Sequence, residues 1–233
     1  MYLNAPRTID DDIKRSIIDG FANLEKNPEF DNLIIAVLEE GCNDDWFFLR
    51  RRAATVLRDK YDIDKFATIG AAQTTIDKYN YDELFGRYPS NPRALITTAR
   101  GEIVFELFYN IAPKTVNNYI KLVESGYYDS LSFHRVIPNF VVQDGCPLGT
   151  GWGGPGYAIK CENNSLTYKT GMVGMALSGK DTGGSQYFIT LSPQPHLDGN
   201  YTIFGEVESG MEVAQELVRG DIIESVRIVH AEE

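Results

Sequence analysis

The sequence predicts a two-part α+β protein: a small helical N-terminal region, then a closed antiparallel β-barrel capped by two helices. Three observations carry this. Apolar residues recur at helical spacing through residues 8–86. The stretch GRYPSNPR, residues 86–93, then breaks the composition with two prolines, a glycine, a serine and an asparagine. From Arg93 the apolar period falls to two, and many short strands alternate with Gly and Pro turns. These give a helical region over 1–86, a linker over 87–92 and a barrel domain over 93–233.

The helical region starts at TIDDDIKRSIIDGFANLEK. Thr8 is a cap candidate with acids in the first turn, and Ile13, Ile17, Phe21 and Leu24 fall on one face. In NPEFDNLIIAVLEEG, Asn27 suits a cap, Pro28 the first helical position and Gly41 the stop. A third helix, DDWFFLRRRAATVLRDKY, turns Phe48, Ala53 or Ala54, and Leu57 inward, and a shorter one is expected over 75–85. The pattern R-x-x-A-A-x-x-L resembles a HEAT-type repeat. An unrelated small helical bundle fits as well, since solenoid units need about three repeats for a continuous core.

In the second part, ALITTARGEIVFELF reads as a hairpin turning at Arg100-Gly101. PKTVNNYIKLVESG is a helix from Pro113, with Val116, Tyr119, Ile120 and Val123 on one face and Gly126 as its stop. Short strands follow over 132–137, 140–145, 157–160, 172–176, 186–191, 203–208 and 222–229, and a second helix lies over 210–219.

Composition narrows the function. The net charge of −11 argues against a nucleic-acid partner, because phosphate binding needs clustered Lys and Arg. No stretch approaches 18 apolar residues, so no membrane span is expected. The start has no basic n-region and no apolar h-region. The expected compartment is the cytoplasm, or an exported one if this chain is trimmed from something longer. Cys42, Cys146 and Cys161 form no CxxC pair and have no histidines at zinc spacing, so no metal is expected. Buried thiols are the default reading, and a Cys146–Cys161 disulfide stays open.

Several lures fail on context. Gly149, Gly151 and Gly154 have G-x-G-x-x-G spacing, but Pro155-Gly156 and strand-like residues follow where a dinucleotide site needs a helix. SGKDTGG lacks the Ser or Thr that a phosphate loop carries after its Lys. Ser185 is not in a nucleophile elbow, and His230 reads as exposed.

FHRVIPNFVVQDG, residues 133–145, reads mostly as buried strand, yet it holds Arg135. A guanidinium does not shed its proton and is costly to bury without partners. Taken with GTGWGGPGY, GMVGMALSGKDTGGSQYFITL and HLDGNYTIFGEV, in that order, this stretch resembles the cyclophilin-type peptidyl-prolyl cis/trans isomerases from about Arg93 to the C-terminus. The resemblance implies an eight-stranded antiparallel barrel with a helix over each end. It implies that Arg135 is the catalytic arginine, Gln143 the glutamine that orients it, and His134 a site-lining histidine. Phe140, Val141, Phe188 and Leu197 would line the proline pocket. Ala176 would lie on the substrate-binding strand and Gln186 in the groove. The chain departs from the family's best-known members at four positions: Leu177 stands for an asparagine, His196 for a tryptophan, Tyr201 for a histidine and Val141 for a methionine. Leu177 would bind through its backbone, and His196 would weaken cyclosporin binding.

The implied chemistry suits these residue types. An X-Pro bond rotates slowly because amide resonance must be broken, at about 18–20 kcal/mol. No covalent bond forms or breaks, so no cofactor or nucleophile is required. The site has only to bind the twisted amide better than either planar form. Two functions follow: an active isomerase acting on proline-containing peptides or unfolded chains, or a proline-motif binding module whose helical region recruits a partner protein. The intact set of Arg135, Phe140, Gln143 and Phe188 favours the first.

Overall fold

A computed structural model describes residues 9–72, 74, 88 and 90–229, with side chains from Lys14 onward. Thr8, the Ile13 side chain, the helix expected over 75–85, parts of the 87–92 linker and His230 lie outside the described residues. The chain divides into two compact units, Tyr2–Gln73 and Thr74–Glu233. Thr74 joins the second because it pairs with Ala158 in a parallel bridge.

The first unit contains helices α1 (Ile9–Asn23), α2 (Asp31–Gly41) and α3 (Phe47–Tyr61). Its core gathers Ile18, Ile34, Leu38, Leu49, Ala53 and Leu57. Three details differ from expectation. Among the described side chains of α1, Ile18 is buried and Ile17 is 45% exposed, and Leu24, just past the helix, is 54% exposed. The reason is a close approach at Gly41, where a Cβ would meet Ala53 Cβ at 3.2 Å and Ile18 Cδ1 at 3.3 Å. Helix α2 starts at Asp31 rather than Pro28. The Asn27 side chain accepts from the Glu29 N–H and its carbonyl from the Phe30 and Asp31 N–H groups, making a separate turn first. On α3, Leu49 takes the core position expected for Phe48.

The second unit is built on one curled eight-stranded antiparallel sheet. Its strands are β1 (Arg93–Thr98), β2 (Gly101–Leu107), β3 (Arg135–Ile137), β4 (Val141–Asp144), β5 (Met172–Met175), β6 (Tyr187–Thr190), β7 (Ile203–Ser209) and β8 (Ile223–Val229). The order across the sheet is β3-β4-β6-β5-β7-β2-β1-β8. The segment expected as a strand over 157–160 makes isolated bridges instead: Ala158 to Thr74 and Ile159 to Gly183. Just ahead of the two outer strands the chain pairs with itself. Ser130 and Phe133 donate to the carbonyls of Ile223 and Asp221, and Ile223 and Gly220 donate back to those of Leu131 and Phe133.

Helix α4 (Pro113–Glu124) packs Val116, Tyr119, Ile120 and Val123 into the main core, as its periodicity predicts. Its first turn lacks a capping side chain of its own. The Glu162 carboxylate fills that role, accepting from the Lys114 N–H at 3.0 Å and the Thr115 N–H at 2.7 Å. Helix α5 (Met211–Glu216) follows β7 and buries Ala214. The three cysteines are free thiols, which closes the disulfide option.

Strand register sorts side chains between two faces. Val136, Val142, Ile189 and Val173 are aligned across β3, β4, β6 and β5. Val142, Ile189 and Val173 belong to the main core with Phe105, Tyr119, Tyr187 and Phe204, and Val136 packs against it. One acid shares that face. Asp144 is 0% exposed, lies opposite Tyr187, and neither of its oxygens reaches a partner at hydrogen-bond geometry. Burial pushes its carboxyl up to about 7, against smaller opposing effects of the Gly145 N–H and the Tyr187 hydroxyl.

A carboxyl whose folded pKa is raised holds its proton more tightly in the folded state. Its stabilising contribution is complete below pH 4 and is lost as pH climbs from 4 to 7. The gap between 3.8 and about 7 corresponds to about 4 kcal/mol at most. Asp144→Asn should remove this loss. Urea denaturation of both proteins at pH 4 and pH 8 should show the stability difference moving in the variant's favour by a few kcal/mol.

Candidate active site

The site is a transverse row on the other face of the sheet. Arg135 pairs with Gln143, Gln143 with Phe188, and Phe188 with Gly174, across β3, β4, β6 and β5. Residues directly opposite in antiparallel strands point to the same side. The row therefore places a cation, an amide and an aromatic ring side by side.

The stretch 133–145 forms two strands, as expected, but only one of them is buried. It folds into the short strands β3 and β4 around Pro138-Asn139, with Asn139 in the left-handed region at φ 56°. Its carbonyl accepts from Ser192 Oγ at 2.6 Å and Gln194 Nε2 at 3.0 Å, which pins the turn. Strand β4 is largely buried, whereas Arg135 and Ile137 on β3 are exposed. The arginine thus avoids the desolvation cost expected from a buried strand. It stands at the rim of the apolar patch, not inside it.

Arg135 is nonetheless held. Its Nη1 donates to Gln143 Oε1 at 3.1 Å, and its guanidinium carbon lies 5.3 Å from the centre of the Phe140 ring. Gln143 Nε2 donates to Gln186 Oε1 at 3.0 Å. Gln186 Nε2 donates to the carbonyls of Gly151 and Gly153, each at 2.8 Å. His196 stacks on the Phe140 ring, with centroids 5.7 Å apart and planes at 24°.

Beside this chain lies an apolar cluster. Val141, Phe188 and Leu197 are buried in it, and Phe140, Ala176 and Tyr201 pack against them partly exposed. Phe188 sits between two tyrosine rings, stacked on Tyr168 at 5.5 Å and edge-on to Tyr201 at 5.9 Å. Leu177 differs from its neighbours in sequence: its side chain packs against the main core. His134 is buried next to Arg135. Burial, then the positive charges of Arg135 and Arg219, lowers its pKa, and Gln186 offsets this in part. The imidazole is therefore neutral at neutral pH.

All the sequence-predicted positions except His134 and the Leu177 side chain thus meet in the cluster, in the hydrogen-bonded chain or, for His196, against the Phe140 ring. Sequence reasoning missed Tyr168, Met172 and Ile203, which complete the apolar cluster. They come from separate segments whose alternation marks them only as buried. It also missed Gly174. A Cβ there would lie 2.5 Å from Phe188 Cζ and closer still to the Tyr168 hydroxyl, so only glycine leaves room for the two rings. Among the described residues, no group of three or more His, Cys, Asp or Glu side chains is placed to hold a metal.

Comparisons with known proteins agree with this geometry. The family model for cyclophilin-type peptidyl-prolyl cis-trans isomerases matches residues 93–233. Peptidyl-prolyl cis-trans isomerase B of Bacillus subtilis is 56% identical over 129 residues, covering 54% of this chain and 90% of that protein. A peptidyl-prolyl cis-trans isomerase of Synechococcus elongatus is 51% identical over 139 residues, covering 59% of this chain and 96% of that protein. Among solved structures, a cyclophilin-type isomerase of Cryptosporidium parvum superposes with a TM-score of 0.58 at 34% identity, over 61% of this chain and 99% of its own. Another structure of that protein, determined in the presence of the dipeptide Ala-Pro, gives a TM-score of 0.56.

Gly174→Ala should force Phe188 and Tyr168 apart, at a cost of about 1–3 kcal/mol typical of an overpacked interior. Chemical denaturation should record that loss, and near-ultraviolet circular dichroism should record the disturbed ring pair.

Proposed function

The chain belongs to the cyclophilin-type peptidyl-prolyl cis-trans isomerase family, and from that premise we propose how its site turns an X-Pro bond. The substrates are proline-containing segments of flexible or unfolded chains, and the outcome is assisted folding. The apolar cluster of Phe140, Val141, Phe188 and Leu197 takes the proline ring and holds it still. The carbonyl before the proline then rotates. As the amide twists, resonance is lost and the lone pair localises on the prolyl nitrogen. Arg135 donates to that nitrogen or to the proline's own carbonyl. Such a hydrogen bond to a charged group contributes about 1.5–3 kcal/mol, and about 1.4 kcal/mol gained only in the twisted state is a tenfold rate increase.

One observation carries this reading: a guanidinium fixed by Gln143 and Phe140 at the rim of an apolar cluster. One donor nitrogen is committed to Gln143, and the others remain to face the substrate. An exposed but tethered cation can reach a bound peptide without a desolvation penalty of its own. Neutral His134 lines the site without adding a second charge. The dipeptide Ala-Pro that accompanies one similar structure supports the same substrate class. The sheet is read as a closed barrel, supported by the paired segments 130–133 and 220–223. The N-terminal helices are read as a HEAT-type unit that engages a partner protein, supported by the buried Ala53, Ala54 and Leu57 of the R-x-x-A-A-x-x-L pattern.

Arg135→Ala should lower the catalysed cis-to-trans rate of an X-Pro peptide at least tenfold while thermal melting stays near that of the unaltered protein. Retained activity would remove Arg135 from the mechanism. A second prediction concerns cyclosporin. An imidazole covers less of the Phe140 ring's surroundings than an indole would, so His196→Trp should tighten cyclosporin binding by about tenfold in a calorimetric titration.

A further inference from the structure

We propose that Cys146 is a positioning residue for Arg135, acting through the glycine-rich loop at residues 149–154. The inference rests on the reading of Arg135 as the catalytic cation. It adds a residue outside the pocket and a reason for the loop's shape.

The hydrogen-bonded chain from Arg135 has a fixed polarity. A guanidinium only donates, and a backbone carbonyl only accepts. Between them stand two amides, each with one donating and one accepting end. The carbonyls of Gly151 and Gly153 both accept from Gln186 Nε2, so Gln186 must turn its Oε1 toward Gln143. Gln143 must then offer its Nε2 to Gln186 and its Oε1 to Arg135. If the two carbonyls withdraw, the guanidinium alone sets that direction, and from one end only. Gln186 is then free to flip, and Gln143 loses the acceptor that holds its Nε2 away from the guanidinium. The position of the loop therefore decides how well Arg135 is aimed.

The loop itself is held by sulfur. The N–H groups of the same two glycines, Gly151 and Gly153, donate to Cys146 Sγ at 3.2 Å and 3.1 Å. The Gly149 N–H donates to the Cys146 carbonyl at 3.0 Å. Gly149 and Gly151 have φ of 61° and 83°, which turns successive N–H groups inward and leaves the carbonyls of Gly151 and Gly153 facing Gln186. Cys146 is 1% exposed and unpaired, so its thiol is a permanent part of this wall. Each of the two glycines is thus clamped on both sides: sulfur on its N–H, the Gln186 amide on its carbonyl. The glycine-rich loop whose spacing imitates a dinucleotide site serves here to wrap a thiol and aim an amide, through Gly149, Gly151 and Gly153.

Sulfur is a weak acceptor, so the effect is moderate. Cys146→Ala removes both acceptor contacts and should lower kcat for an X-Pro peptide about three- to tenfold, with KM changed less than twofold, as read by NMR exchange over a series of peptide concentrations. Cys146→Ser keeps an acceptor and should lose less. The decisive comparison repeats both substitutions in a Gln186→Leu background, where the relay is already cut. There each should cost nothing further, the non-additivity expected of residues in one network. A loss of the same factor in that background, a loss carried by KM alone, or unchanged kcat in the folded Ala variant would overturn the proposal. Should Cys146→Ala not fold, the Ser pair of measurements decides by the same criteria. Arg135→Ala is run beside them. If it retains activity, the reading of the site has failed; if it loses activity while the Cys146 variants do not, only the relay has.

Discussion

The pairing of β4 with β6 is the constraint on which the rest of the second unit depends. Val141, Val142, Gln143 and Asp144 face Thr190, Ile189, Phe188 and Tyr187 in strict order. Because side chains alternate, Val142 and Asp144 go to the core while Val141 and Gln143 go to the groove. A slip of one residue would exchange the two sets, putting the Gln143 amide into the core and Val142 with the Asp144 carboxyl into the groove. Core and site are therefore not independent designs. The burial that specifies one specifies the other.

The groove then grades from apolar to charged over a short distance. Phe188 and Val141 are almost fully covered, Phe140 and Tyr201 half so, and Arg135 is open to solvent. That gradient suits a substrate whose proline ring prefers apolar surroundings and whose amide develops a lone pair. The cation needs no burial to be effective if its direction is fixed. Direction is what the two glutamines and the glycine-rich loop supply. Gly174 serves the same end from below, since its missing side chain is what admits the stacked Phe188 and Tyr168 rings.

Much of this was legible in the chain itself. The helix from Pro113, the hairpin near Gly101 and most of the strands follow from periodicity and turn residues. The motif residues Arg135, Gln143, Gln186 and Phe188 announced the site. What misled was burial: although β3 is exposed at Arg135 and Ile137, the apolar weight of 133–145 reads as buried throughout that stretch. Asn139 in a left-handed turn divides it, and the carbonyl of that residue is fastened by Ser192 and Gln194 from a distant segment. In the first helix, Ile17 and Leu24 match the helical stripe, yet among the described side chains they are exposed and Ile18 is buried. Which of two overlapping stripes wins is set by where Gly41 lets α3 approach.

By itself, then, the sequence determined most of the element types, the family and the candidate residues of the groove. These are encoded locally, in spacing, turn chemistry and short motifs. Only the tertiary structure decided that Arg135 is exposed, that Asp144 is buried without a matched partner, that Glu162 caps a helix 47 residues away, and that Cys146 holds the loop behind Gln186. Each of these depends on which segments come together across the sheet. No local pattern carries that information, because the same thiol or carboxyl would have read identically on any other loop.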